Sequence, residues 1–484
     1  MATIRLKNVF GEPFKQSYFD LKLTAKPTAF SGGMAASNTH IAFPWDVGGG
    51  GLISLVDMAK LGRDSGSDRI NLKGHTGALQ DISFNEFNYN ILASGSDDST
   101  VKVWDISGGG TEGTVMANLT GHTKKTTNVV WNNVTDFILL SGSLDNTVRV
   151  WNVEREAELL SVPIDGQYSY CNWSYDGETV VVATKEGTAL FVDPREGKIS
   201  DKFRAHESNK ATSVIWLGGN YADNLLATTG YVGNQTRQIR VWDSRKTSEH
   251  LVSKDIDSSP GPLIPHWDSA TGLYTVAGKG DLTVRIFQYF ENDLNRAGEF
   301  KCSGTIKMFC FAPHTACDKS KCELGRLFYS TNCKEINPIS MVVIRRNSET
   351  AMGEIYGSLQ PRRRTLAADW QGNNLSCTLE CPSFPAQQGG TSGATAALQE
   401  KELTATGRAF LEIFKAAGSI NVKYRPDFTD VAMIEELEAV KRYVDDLIDS
   451  LKELHNISAP GGGEKAPKEA APPTLPCEVT PTPK

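Results

Sequence analysis

The sequence has no surplus of positive charge: 50 lysines and arginines stand against 57 aspartates and glutamates, a formal net charge of -7. A general nucleic-acid binder carries a clear basic excess, so this balance argues against that class and leaves only local basic patches open. Nor does any apolar run approach the length a membrane-spanning helix needs. The opening MATIRLKNVFGEPFK lacks an apolar core of signal-peptide length, and a soluble, intracellular protein is expected. Cysteines are nine, an odd number, scattered from Cys171 to Cys477. The closest spacings, Cys317 to Cys322 and Cys377 to Cys381, come without a second pair or histidines at ligand spacing. Free thiols are expected, with neither a metal site nor a cofactor, and the Cys317–Cys322 loop has no assigned role.

A phosphate loop is also incomplete. Four glycines stand in GGGGLISL (48–55), and GLYTVAGKG runs from Gly272 to Gly280. A P-loop needs four residues between its glycines and Ser or Thr after the lysine; the second stretch has five and a glycine. Both features precede strand patterns instead of opening a helix. A nucleotide-dependent enzyme is therefore not expected, and no catalytic residue is assigned.

What is present is repetition. GHTGALQDISFNEFNYNILASGSDDSTVKVWD, from Gly74, matches GHTKKTTNVVWNNVTDFILLSGSLDNTVRVWN, from Gly121, at a step of 47 residues. Short alternating runs such as QDISF and TVKVWD, separated by Asn, Asp and Gly turns, read as antiparallel strands. Weaker copies follow. EGTALFVD puts Val192 at the tryptophan position, RQIRVWD supplies Trp242 after an Ala205–His206 start, and GDLTVRIFQ supplies Phe287 with Asp281 six residues earlier. Upstream, GLISLVD brings Val56 and Asp57 into register, and a seventh unit fits Ile306 to Arg345. The first strand, ATIRLKNVF, has no hairpin partner and is expected to close a ring by pairing with the last unit.

The units resemble WD40 repeats. That resemblance implies a hydrogen-bonded chain His75, Ser94, Asp98, Trp104 within one blade and His122, Ser141, Asp145, Trp151 within the next. Such chains wire a blade together and are not Ser-His-Asp catalytic groups. Outside the repeats, KNVFGEPFKQSYFDLKL, the glycine run before its strand, the AHE at Ala205 and KGDLTVRIFQY at Lys279 resemble coronins. INPISMVVIRRN, EIYGSLQP and LAADWQGN follow in the order of the coronin motifs after the ring, so the resemblance covers roughly residues 3 to 375. It implies an all-β, seven-bladed WD40 β-propeller with a C-terminal extension and a short C-terminal α-helical coiled coil. The expected divisions are 1–345 for the propeller, 346–382 for the extension and 383–429 for a linker with room for a short helix. The coiled coil is expected over 430–455 and a disordered tail over 456–484.

In the last helix, Leu437, Val444 and Leu451 fall at heptad position a, and Met433, Val440, Leu447 and Leu454 at d. Self-association is expected. The trimer-specifying Arg and Glu pattern common in coronins is absent, because Arg442 falls at f and the e positions carry Ile434, Lys441 and Ile448. The oligomer number stays open.

Coronins bind actin filaments, which are acidic and call for a basic surface. Lys22 follows Tyr18-Phe19-Asp20-Leu21 at the position of a basic residue implicated in filament contact within the family, with Lys in place of the commoner Arg. Arg5, Lys7 and Lys15 extend the basic N-terminal stretch. Two other basic sites compete: Arg362, Arg363 and Arg364, facing actin or anionic lipid, and Lys124 and Lys125 at a blade edge. The resemblance implies a non-enzymatic protein that binds, crosslinks or bundles F-actin in the cytoplasm and at the cell cortex. The actin-related branching complex is a further candidate partner. The alternative is an adaptor propeller that recognises a modified protein without contacting actin.

Overall fold

A computed structural model of the chain describes residues 6–25, 30–48, 50–218, 224–233, 235–344, 362–365, 367–370 and 378–380. The chain divides into two units, Met1–Gly390 and Thr391–Lys484, and every described residue lies in the first. Arg5 and the heptad residues of 430–455 lie outside the described residues.

Each repeat folds into consecutive antiparallel strands. The first sheet is Ala35–Ala36, His40–Trp45, Leu52–Asp57 and Ile70–Leu72; the second is Leu79–Phe84, Ile91–Ser96, Val101–Asp105 and Thr114–Leu119. Three more four-stranded sheets begin at Thr126–Trp131, Tyr168–Trp173 and Ser213–Leu217. A ten-stranded sheet then joins two further four-strand sets edge to edge. One is Leu263–Asp268, Leu273–Gly278, Thr283–Phe290 and Asp293–Lys301. The other is Met308–Ala312, Glu323–Ser330 and Glu335–Val343, completed by the N-terminal strand Val9–Pro13.

Burial follows position in the sheet. The second strands Ile91–Ser96, Ile138–Ser143 and Val180–Thr184 are buried at every residue, whereas the fourth strand Lys198–Arg204 buries only Phe203. Inner strands pack on neighbouring sheets through both faces, so their sequences lose the apolar–polar alternation that half-buried strands keep. The alignment of the degenerate repeats has a backbone counterpart. A β-bulge precedes the marker position in the pairing of third and fourth strands, at Val103/Trp104, Val150/Trp151, Phe191/Val192 and Ile286/Phe287. Val192 and Phe287 therefore occupy the site of the missing tryptophans.

The N-terminal strand pairs antiparallel with Glu335–Val343, from Val9 opposite Val343 to Pro13 opposite Ile339. It also meets Gly298 of the preceding set in a parallel bridge at Val9. A Cβ on Gly298 would stand 2.1 Å from the Val9 carbonyl oxygen, so glycine is required there. The described strand begins at Val9, with the Leu6 N–H donating to Gln288 Oε1 at 2.7 Å ahead of it, and residues 2–5 of the ATIRLKNVF reading lie outside the described residues.

Between the N-terminal strand and the first sheet, three consecutive residues touch three different inner strands. The Phe30 ring lies 5.9 Å from that of Tyr170, Ser31 hydrogen-bonds Asp81, and the Gly32 carbonyl accepts the Phe309 N–H at 2.9 Å. These strands belong to the fourth, second and last sets, so residues 30–32 cross the central channel. Beyond the last strand, Arg362–Arg364 pairs with Thr378–Glu380, and the short helix Ala367–Trp370 joins the core of the third and fourth sheets, with Trp370 edge-on to Trp173 at 6.5 Å.

Candidate functional site

The segment carrying Lys22 fills the crevice between the first and last strand sets. Tyr18 and Phe19 pair antiparallel with Ile336 and Glu335 on one side and parallel with Gly62 and Arg63 on the other. Tyr18 is buried and its hydroxyl donates to the Met58 carbonyl at 2.6 Å. Leu21 and Leu23 point into the core, their N–H groups donating to the carbonyls of Lys334 and Cys333. Alternation then turns Phe19 and Lys22 outward; Phe19 is 43% exposed, and the Lys22 carbonyl is fixed by the Asp46 N–H at 2.7 Å.

The flanks of Lys22 come from distant sequence. Exposed Lys334 lies beside it, and Lys307 is near enough to Cys333 to oppose the upward push that burial gives that thiol. Asp20, at a positive φ of 65°, is held by Arg63 at 2.6 Å across the crevice. Lys15 follows Phe14, whose N–H donates to the Pro338 carbonyl, and so stands at the same end of the set as Lys22 and Lys334. Lys7 precedes the strand at its opposite end, next to Val343. The structure thus brings Lys15 and Lys22 to one end and separates Lys7 from them. Lys334 and the exposed Phe19 were not legible as site residues, because each gains its place through pairing across the crevice, while Lys307 is held within the last set by the Ser330 carbonyl.

The competing basic groups are differently placed. Lys124 and Lys125 are exposed on the turn before the third sheet, and the Lys125 ammonium pairs with Asp97 at 2.7 Å. Arg364 donates to buried Asp136 at 2.7 Å and its guanidinium lies 5.4 Å from the centre of the Phe87 ring. Thr365 backs this contact: its N–H donates to the Val134 carbonyl, its carbonyl accepts the Asp136 N–H, and its hydroxyl meets that of Thr135 at 2.6 Å. Arg364 therefore clamps the extension to the ring, with its side chain 31% exposed. The side chains of Arg362 and Arg363 lie outside the described residues.

The marker histidines are locked inward. His75 Nδ1 lies 2.8 Å from Asp98 Oδ2 and its Nε2 lies 2.9 Å from Ser94 Oγ, which also accepts the Trp104 indole N–H at 2.8 Å. His122, Asp145, Ser141 and Trp151 repeat this at 3.0, 2.8 and 2.8 Å. The coherent assignment is a neutral ring donating from Nδ1 and accepting the serine proton at Nε2. Burial lowers the pKa of His122 and outweighs the opposing Asp145 carboxylate. Every polar atom of the chain is occupied, so it holds the turn before one sheet to the hairpin within it and offers no nucleophile. In the fifth sheet His206 Nε2 and the Trp242 N–H meet Thr228 Oγ1, both at 2.9 Å, but among the described residues no aspartate completes the set.

Asp281, which the repeat places in the aspartate position, has another partner. Buried Arg237 donates to both oxygens of Asp257 at 2.6 and 2.7 Å, to Asp281 at 2.9 Å and to the Gly261 carbonyl at 3.0 Å. A bidentate arginine thus bridges the fifth and sixth sets where a histidine would tie a blade to its own turn.

A ring of four-stranded sheets wired by these chains defines a WD40-repeat protein of β-propeller-like, all-β fold. Residues 66–105 and 113–152 match the WD domain, G-beta repeat, and residues 5–63 match a domain of unknown function, DUF1899. The WD40 domain of Toxoplasma gondii coronin superposes with a TM-score of 0.73 at 33% identity, over 78% of this chain and 98% of that one. A coronin-like protein of Schizosaccharomyces pombe is 29% identical over 379 residues, 75% of this chain and 61% of its own length. The chain belongs to the coronin family. A chain in a mitotic checkpoint complex shares the fold alone, at a TM-score of 0.54 and 14% identity, over 69% of this chain and 95% of its own.

Proposed function

We propose that the protein is an actin-filament binder whose seven-bladed propeller contacts the filament and whose C-terminal helix multiplies that contact by self-association. The observation that carries the reading is the exposed Lys22, flanked by Lys334 and Lys15, on the edge of a coronin-family ring. A compact cationic edge suits an acidic filament, steering the encounter through charge and docking through the adjoining Phe19. The five separate four-stranded sheets and the two sets within the ten-stranded sheet support the count of seven blades. Self-association through 430–455 would raise avidity without new contacts and allow crosslinking. Anionic lipid and the actin-related branching complex are further partners consistent with this reading, and the cytoplasm and cell cortex its location. Co-sedimentation tests it: the full chain should pellet with filaments and bundle them, and a chain truncated after Ala397 should bind more weakly without bundling. Absence of any pelleting by the full chain refutes filament binding; equal bundling by both refutes the avidity argument.

A further inference from the structure

Against the segment that carries Lys22 lies an ion pair that the repeat markers do not include. Glu323 and Arg326 both belong to the strand Glu323–Ser330 of the last set. Residues three apart on a regular strand point to opposite faces, but the pairing with Glu335–Val343 shifts register between Glu323 and Gly325. That bulge turns both side chains to one face. Arg326 Nε and Nη2 donate to the two Glu323 oxygens at 2.8 and 2.6 Å. Glu323, its side chain fully buried, also accepts from the Ser340 hydroxyl at 2.6 Å and from the Asp318 N–H at 2.5 Å. The carboxylate is thus tied to its own strand set from several sides, and its two oxygens fix the plane of the guanidinium.

The other contacts of Arg326 reach the N-terminal segment and its anchor. The guanidinium carbon lies 5.2 Å from the centre of the Phe14 ring, and Nη1 meets Met58 Sδ at 3.7 Å. Met58 is the residue whose carbonyl accepts the Tyr18 hydroxyl. Burial pushes the pKa of that hydroxyl up, and the Arg326 charge opposes the rise. Phe14 stands immediately before Lys15, and Tyr18 four residues before Lys22. One guanidinium therefore braces the segment at its start and, through Met58, at its middle. An apolar pair of equal volume often stabilises a core as well as a buried ion pair does. What it lacks is direction: a two-pronged contact holds a planar cation in one orientation, and that cation in turn orients the aromatic ring it covers.

We propose that Arg326, oriented by Glu323, is a positioning residue for the Lys22 edge, setting the segment from Phe14 to Tyr18 so that Lys15 and Lys22 are presented together. Its effect on a partner rests on filament binding at that edge; the bracing itself is independent of filaments.

Two measurements on the full chain test it. In hydrogen exchange, Arg326→Lys keeps the charge but loses the two-pronged contact, and should speed exchange of the hydrogen-bonded Phe14, Leu21 and Leu23 amides tenfold or more. Amides of the buried strands Ile91–Ser96 and Ile138–Ser143 should change less than twofold. The pair Glu323→Gln and Arg326→Met removes both charges without stranding either, and should loosen the same amides. In filament co-sedimentation, Arg326→Lys should weaken the parent about fivefold and the Lys22→Asp chain less than twofold, because the arginine acts through Lys22. Unchanged exchange at Phe14, Leu21 and Leu23, or acceleration spread equally over the buried strands, overturns the bracing. Equal losses of affinity in the two backgrounds overturn its action through Lys22. A parent chain that does not pellet refutes filament binding alone, and exchange then decides the bracing.

Discussion

The carbonyl oxygen of His75 lies 2.2 Å from where a Cβ on Gly51 would stand. Gly51 has a φ of 86°, and the relationship recurs between Gly187, at a φ of 80°, and the His206 carbonyl, at 2.3 Å. In both places the residue before a third strand supports the turn of the next sheet's histidine. In the glycine run considered above as a phosphate loop, Gly50 and Gly51 pack against the adjacent sheet.

Gly51→Ala should therefore destabilise the fold by roughly 1–2 kcal/mol from the left-handed backbone alone, and further through displacement of His75. Gly48→Ala is the control, because nothing lies within 4 Å of its Cβ position. It should stay within about 0.5 kcal/mol of the parent. Urea unfolding of the full chain measures both; equal stabilities would remove the packing argument.

Acid sensitivity should concentrate in the marker networks. Burial by itself would raise the Asp145 pKa, but hydrogen bonds from the Thr123 N–H, the Thr147 hydroxyl and His122 bring it down to about 2. A carboxylate depressed in the folded state contributes stability above its unfolded pKa and loses it as pH falls through the folded value. The contribution is thus present above about pH 4 and gone near pH 2. Asp145→Asn should lower the melting temperature at pH 7 and flatten the decline between pH 4 and 2. A parallel decline in both proteins would contradict the assignment.

Arg237 should be the most sensitive charged position in the ring. Its side chain is 1% exposed, and Asp281 is 6% exposed. Arg237→Met leaves Asp257 and buried Asp281 to share Arg285, at 2.5 and 3.9 Å, at a cost of about 3–5 kcal/mol. Arg237→Lys keeps the charge but not the two-pronged contact, and should fall between the two. Chemical denaturation ranks the three.

Lys22→Asp should weaken filament co-sedimentation several-fold and steepen with Lys334→Asp, with the melting temperature unchanged because both ammonium groups are exposed. Lys125→Asp breaks an exposed pair worth about 0–1 kcal/mol and should leave filament affinity unaltered if the Lys22 edge is the contact. Salt should weaken the parent more than the double variant. Loss from Lys125→Asp alone would relocate the surface.

Much of the architecture was readable along the chain. The 47-residue step, the alternating runs and the GH and WD markers depend on local periodicity and on groups that recur at constant offsets. Such signals lie within one repeat and need no knowledge of neighbours. Phe287 and Val192 could be aligned on offsets alone, and the bulge before each is their backbone trace. Other features were decided only when distant segments met. Whether Val9–Pro13 pairs, and with which edge, depends on a strand more than 300 residues away. That Arg364 is an internal clamp while Lys22 stays open to solvent depends on where Asp136 and Lys334 arrive in space. A charge has no sequence signature for its partner, since Coulomb attraction and desolvation act on distance and burial, which the closed ring alone establishes.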